Sequence, residues 1–150
     1  MPLLIDTNLL VYAFDQNDPV RQDRAARLLR DIELRGIGCL SVQALAEFYS
    51  ASTRQLRPPL TPDVAFDHIE RLARAFLILD LTPQVVLEAA RGARDHQLNY
   101  WDAQVWAIAR LNQIAVVLSE DFSAGASSLE GVRFVDPLAA EFDLPAWDHG

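Results

Sequence analysis

The sequence predicts one α/β domain, three layers deep, with a central parallel sheet of about five strands. Three observations predict it. Short apolar runs alternate with longer stretches of helical periodicity, which is the pattern of strands joined by right-handed crossovers. Nearly every helical stretch opens on a capping residue or a proline. No repeat, low-complexity tract or linker divides the 150 residues, a length that lets a single core bury roughly two-thirds of the unfolded surface.

Leu3 to Ile5 reads as the first strand, followed by polar Asp6-Thr7-Asn8 and a short helical stretch over Leu9 to Phe14. Pro19 to Arg35 is a helix: Asp18 caps it, Ala25, Leu28, Leu29 and Ile32 make its apolar stripe, and Gly36 stops it. Ile37 to Leu40 is the second strand. Ser41 then caps a helix over Val42 to Ser52, whose expected buried stripe is Val42, Leu45, Ala46 and Tyr49. After the loop Arg57-Pro58-Pro59, Thr61 and Pro62 open a helix that runs to about Ala75. Phe76 to Leu79 is the third strand, and Thr82-Pro83 opens a helix to about His96. A break at Gln97 to Asn99 precedes a helix over Tyr100 to Leu111. Ile114 to Leu118 is the fourth and most β-like strand. Ser119 to Gly131 reads as a loop, Val132 to Val135 as the fifth strand, and residues 137–150 as a loosely packed, acidic and aromatic tail.

Composition narrows the function. The net charge of −8 argues against a binder that relies on a broad basic surface, although nucleic acid remains possible as a substrate. All thirteen basic residues are arginine, a side chain suited to bidentate phosphate contacts. The single cysteine, Cys39, has no partner for an internal disulfide, which points to a reducing cytoplasm. No stretch approaches the ~20 apolar residues of a membrane span, and the chain opens directly on a strand, so neither a span nor a signal peptide is expected.

Four carboxylates stand at comparable places. Asp6 follows the first strand, Glu47 lies in the second turn of the helix after the second, Asp102 in the first turn of the helix before the fourth, and Asp121 just past the fourth. In a parallel sheet each crossover helix begins at the edge where the strands end, so all four are expected at the carboxyl edge, where ligands of such folds bind. Four converging acids repel one another unless a cation stands among them. Oxygen donors suit Mg²⁺ or Mn²⁺, and His68, His96, His149 and Cys39 are too scattered to suggest zinc. Each acid also has a plainer reading: Asp6 as a helix cap, Glu47 as a solvated helix residue, Asp102 as a partner of the helix dipole, Asp121 as a turn residue. Arg54 and Arg57, just past the Glu47 helix, are candidate phosphate contacts.

In Leu4-Ile5-Asp6-Thr7-Asn8, Ser41 through Glu47, Tyr100-Trp101-Asp102-Ala103 and Leu118-Ser119-Glu120-Asp121, the chain resembles the PIN-domain family of metal-dependent ribonucleases, in particular VapC-type toxins of toxin–antitoxin pairs. No one of these motifs is specific; their order and spacing over nearly the whole chain carry the resemblance. It implies catalytic and metal-binding roles for Asp6, Glu47, Asp102 and Asp121, with Asn8 and Ser119 in support. It also implies strand order 3-2-1-4-5, an RNA substrate, a cognate antitoxin and a homodimer. Relatives often carry another acid after the position of Asp121; Phe122-Ser123-Ala124-Gly125 has none. A haloacid-dehalogenase-type phosphatase would need a second Asp where Asn8 stands and a lysine, which the chain lacks. A PIN-fold RNA-binding or regulatory module without catalysis would be marked by loss of the acids, and all four are present.

Overall fold

A computed structural model describes residues 1–120, 122, 128–140 and 142–144. The first strand, β1 (Leu3–Ile5), is wholly buried and leads into a short helix, α1 (Thr7–Tyr12). Then come α2 (Pro19–Arg35), β2 (Gly38–Ser41), α3 (Val42–Arg54), α4 (Pro62–Ala75) and β3 (Leu77–Leu79). The second half runs α5 (Pro83–His96), α6 (Tyr100–Leu111), β4 (Val116–Leu118), β5 (Ser128–Leu129) and β6 (Val132–Val135). The caps act as the sequence predicts: Asp18, Ser41, Thr61 and Thr82 each accept a backbone N–H of the first turn of their helix.

The sheet has the order β3-β2-β1-β4-β6-β5. Every pair is parallel except β5 with β6, a hairpin. The expected order and the parallel core therefore hold, with one strand more than expected. The added strand, β5, lies in the stretch read as a loop. Two residues are too few to show a period, and its partner is supplied by a turn through Glu130 and Gly131, both at positive φ, 48° and 85°. Another difference is β3, an edge strand whose Leu77 is exposed.

Two cores flank the sheet. One gathers Leu3, Ile5, Leu10, Ile32, Phe48 and Phe76 under α1 to α4; the other gathers Leu4, Val85, Ala89, Trp106, Ile108 and Val117 under α5 and α6. Leu144 is buried in the first core, with Leu138 and Phe142 packed against it, so the described part of the tail is held more firmly than its acidic composition suggests. No helix among the described residues is long and apolar enough to cross a membrane.

The expected stripe of α3 is corrected. Val42, Ala46 and Tyr49 are exposed, whereas Gln43, Ala44, Phe48 and Ser52 are buried. The helix is rotated so that Phe48 fills the first core, and this turns Gln43 and Glu47 toward α6 and α1.

The second core sets where α6 lies. Trp106 is fully buried, donates its indole N–H to Leu129 O at 3.1 Å, and covers Gly92 of α5. A Cβ on Gly92 would come within 2.4 Å of the Trp106 ring. Gly92→Ala is therefore expected to lower unfolding stability by about 1–3 kcal/mol, the usual penalty of overpacking, as read by urea denaturation.

Candidate active site

Asp6 is both a cap and a member of a cleft. Its Oδ1 accepts Thr7 N–H at 2.8 Å, closing the first turn of α1, and its Oδ2 accepts the Ser119 hydroxyl at 2.8 Å. β1 lies between β2 and β4, so Asp6 stands in the middle of the carboxyl edge. The cleft above it has a volume of about 460 Å³ and is lined by Asp6, Asn8 and Tyr12, by Gln43 and Glu47 of α3, and by Trp101 and Asp102 of α6, among others.

Three of the four predicted acids thus meet, from three distant parts of the chain. Asp121 lies outside the described residues. Burial pushes the Asp6 carboxyl above its ordinary value of 3.8, and repulsion from Glu47 and Asp102 adds to the rise, against the hydrogen bonds from Ser119 and Thr7. Glu47 is held at both oxygens, by Gln43 Nε2 at Oε1 and Thr7 Oγ1 at Oε2, each at 2.8 Å.

The other predicted residues divide. Ser119 holds Asp6, and Asn8 lines the cleft with its Oδ1 buried and without a hydrogen-bond partner among the described residues. Arg57 turns back to cap the end of α3, donating to Arg54 O at 2.8 Å and Leu56 O at 3.0 Å; neither Arg54 nor Arg57 lines the cleft. Arg21 does not line the cleft either, but it stacks 4.5 Å over the ring of Tyr12, which does, and pairs with Glu120 at 2.7 Å. Thr7, Gln43, Gln104 and Arg21 were absent from the expected set. Gln43 with Glu47, and Gln104 with Tyr100, lie four residues apart on a helix and are pairs that spacing alone could have suggested.

The donors suit a hard divalent cation. Among the described residues, the cleft is lined by carboxylate and amide oxygens and by no cysteine or histidine, and Asn8 offers a carbonyl oxygen without a partner there. Among the described residues, no three acidic, histidine or cysteine side chains stand so as to hold a metal ion between them. An ion shared by Asp6, Glu47 and Asp102 would need these carboxylates drawn together, with water or further donors filling the rest of its shell.

A mainly parallel sheet with a carboxylate-lined cleft over the ends of its central strands defines the class: an α/β domain with an acidic site. The chain belongs to the PIN domain family, whose model matches residues 3–124. No curated protein sequence matches it. Among solved structures it is similar to VapC20 of Mycobacterium tuberculosis, a toxin that cleaves the sarcin-ricin loop, with 22% identity, a TM-score of 0.68, and coverage of 87% of this chain and 98% of that one. It is similar to a chain of a toxin–antitoxin complex from Klebsiella pneumoniae, with 16% identity, a TM-score of 0.66, and coverage of 90% and 97%. A chain of the DNA-bound VapBC of Salmonella typhimurium has 17% identity, a TM-score of 0.64, and coverage of 91% and 98%. At these identities the likeness is one of fold.

The raised Asp6 carboxyl has a direct consequence for stability. Its neutral form is favoured in the folded state, so its contribution is fully present below the ordinary value of 3.8 and is lost as pH rises through the raised value. Asp6→Asn removes that loss and keeps an acceptor for Thr7. The metal-free variant is expected to be as stable as the parent near pH 3.8 and increasingly more stable toward neutral pH. Thermal unfolding of both proteins across that range checks it, and a variant less stable at neutral pH would make Asp6 chiefly a cap.

Proposed function

We propose that this chain is a ribonuclease that hydrolyses phosphodiester bonds with the help of Mg²⁺ or Mn²⁺, and that it serves as the toxin of a toxin–antitoxin pair. The observation that carries the reading is the meeting of Asp6, Glu47 and Asp102 in one cleft at the carboxyl edge of a PIN domain. Asp121 is assigned to the same set on its place after β4. The solved structures of similar fold, described as a toxin and as toxin–antitoxin complexes, support the biological half.

In this reading Asp6, Glu47, Asp102 and Asp121 hold the cation. When bound, it acidifies a water for in-line attack and offsets charge on the phosphate. Ser119 and the Thr7 amide fix the Asp6 carboxylate, while Thr7 Oγ1 and Gln43 fix that of Glu47, so neither has to be reorganised when substrate enters. Asn8 lines the same cleft, and its buried, unpartnered Oδ1 can accept a hydrogen bond from a bound water. Arg21, stacked over Tyr12 of the cleft wall, joins Arg54 and Arg57 as a candidate phosphate contact.

Two partners follow from the reading. A nuclease of this kind needs an inhibitor in its own cytoplasm, which is the part of a cognate antitoxin. A homodimer is supported by an apolar cleft beside the acids, lined by Val42, Ala46, Leu81 and Trp101, the last of which is 59% exposed.

Purified protein is expected to cleave RNA with Mn²⁺ and not with chelator, and Asp6→Asn to lose cleavage while keeping its fold by circular dichroism. Cleavage unchanged by chelator or by Asp6→Asn would remove the metal from the mechanism. The two acids after β4 separate further. Glu120 is committed to Arg21, so Glu120→Gln is expected to leave Mn²⁺ affinity nearly unchanged, whereas Asp121→Asn is expected to weaken it at least tenfold, about 1.4 kcal/mol. Calorimetric titration of the two variants reads the difference, and a larger loss at Glu120 would reverse the assignment.

A further inference from the structure

Gln43 and Gln104 are 7% and 2% exposed, although amides of this size usually stay in water. They are buried because they satisfy one another. Tyr100 Oη donates to Gln104 Oε1, Gln104 Nε2 donates to Gln43 Oε1, and Gln43 Nε2 donates to Glu47 Oε1, each at 2.8 Å. The direction is dictated from one end. An ionised carboxylate only accepts, so Gln43 must turn Nε2 to Glu47 and Oε1 to Gln104. Gln104 must then present Nε2 to Gln43, which leaves its Oε1 for a hydroxyl that donates.

The chain of bonds also crosses between helices. Gln43 and Glu47 belong to α3, and Tyr100 and Gln104 to α6, where they flank Asp102 in sequence. Side-chain bonding here replaces close backbone packing, since α3 and α6 have few near approaches of their main chains. Aligned donors polarise one another, so the end that meets Glu47 is the strongest link. With Thr7 on Oε2, both oxygens of the carboxylate are engaged.

We propose that Gln43, Gln104 and Tyr100 are positioning residues that set the Glu47 carboxylate, and its spacing from Asp102, for the cation of the reading above, on which this inference rests. A buried polar network with a purely packing role would leave metal affinity alone. The relay instead makes affinity fall in order of nearness to Glu47.

The test is calorimetric titration of the intact protein with Mn²⁺ alone, for the parent and for Gln43→Leu, Gln104→Leu and Tyr100→Phe. Side-chain amide resonances are recorded on the metal-free proteins. The dissociation constant is expected to rise about tenfold in Gln43→Leu, less in Gln104→Leu, and about two- to threefold in Tyr100→Phe. Tyr100→Phe keeps its ring against Trp101 and so stands as the variant least liable to misfold. In the metal-free protein, Glu47→Ala is expected to shift the Gln104 amide, two links away, and Tyr100→Phe that of Gln43. Parent-like Mn²⁺ affinity in all three folded variants overturns the proposal. If the parent itself binds no Mn²⁺, the metal reading fails instead, and the relay stands or falls on the resonances: a Gln104 amide indifferent to Glu47→Ala sinks it.

Discussion

A carboxylate taken out of water beside two others has to be held by donors, by a cation, or by a proton, and Asp6 is in that position. Its place is set by topology. β1 is the strand from which the sheet grows in both directions, toward β2 on one side and β4 on the other. The end of such a strand opens into the crevice between crossovers that leave in opposite senses. Asp6 N–H donates to Leu118 O at 3.0 Å, which ties the residue to β4 before its side chain is considered. Ser119, the next residue along β4, then reaches its carboxylate. The backbone and the side chain are fixed by the same neighbour.

The neutral polar residues around the acids do as much as the acids themselves. Thr7 serves both carboxylates, giving its amide to Asp6 and its hydroxyl to Glu47. Gln43 displaces apolar residues from the inward face of α3 because its amide is fully engaged there, while Val42 and Ala46 are left outside. Asp6 and Glu47 are thus held by uncharged donors. Arg21, stacked over Tyr12 of the cleft, is already paired with Glu120.

At the far end of α5 and α6 the chemistry is different. Glu130, at the hairpin turn, receives Arg91 at 3.0 Å, His96 at 2.7 Å and Arg110 at 3.7 Å. His96 first, and the arginines after it, hold the Glu130 carboxyl below its ordinary value. These pairs are partly exposed, so each adds little to stability, and they gather on a non-glycine residue at positive φ. The firmer anchor is Trp106 packed on Gly92, which holds the helix that carries Asp102.

Local signals were enough for the alternation of strands and helices, the caps at Asp18, Ser41, Thr61 and Thr82, and the convergence of Asp6, Glu47 and Asp102, because each depends on residues close in sequence and on the rule that crossover helices start where parallel strands end. Three things were decided by the partners that only the folded chain supplies. β5 exists because β6 offers it a ladder, and two residues have no period of their own. The face that α3 buries was set by Phe48 filling the core and by Gln43 meeting Gln104, 61 residues away, whereas hydropathy alone favoured Val42 and Tyr49. Arg57 was drawn to the carbonyls that end α3, and Arg21 to Tyr12 and Glu120, because a flexible cation goes to the acceptors that the fold leaves within reach. Charge and periodicity name the residues that carry a function, but a hydrogen bond has a partner and a direction, and those are settled when the chain has closed on itself.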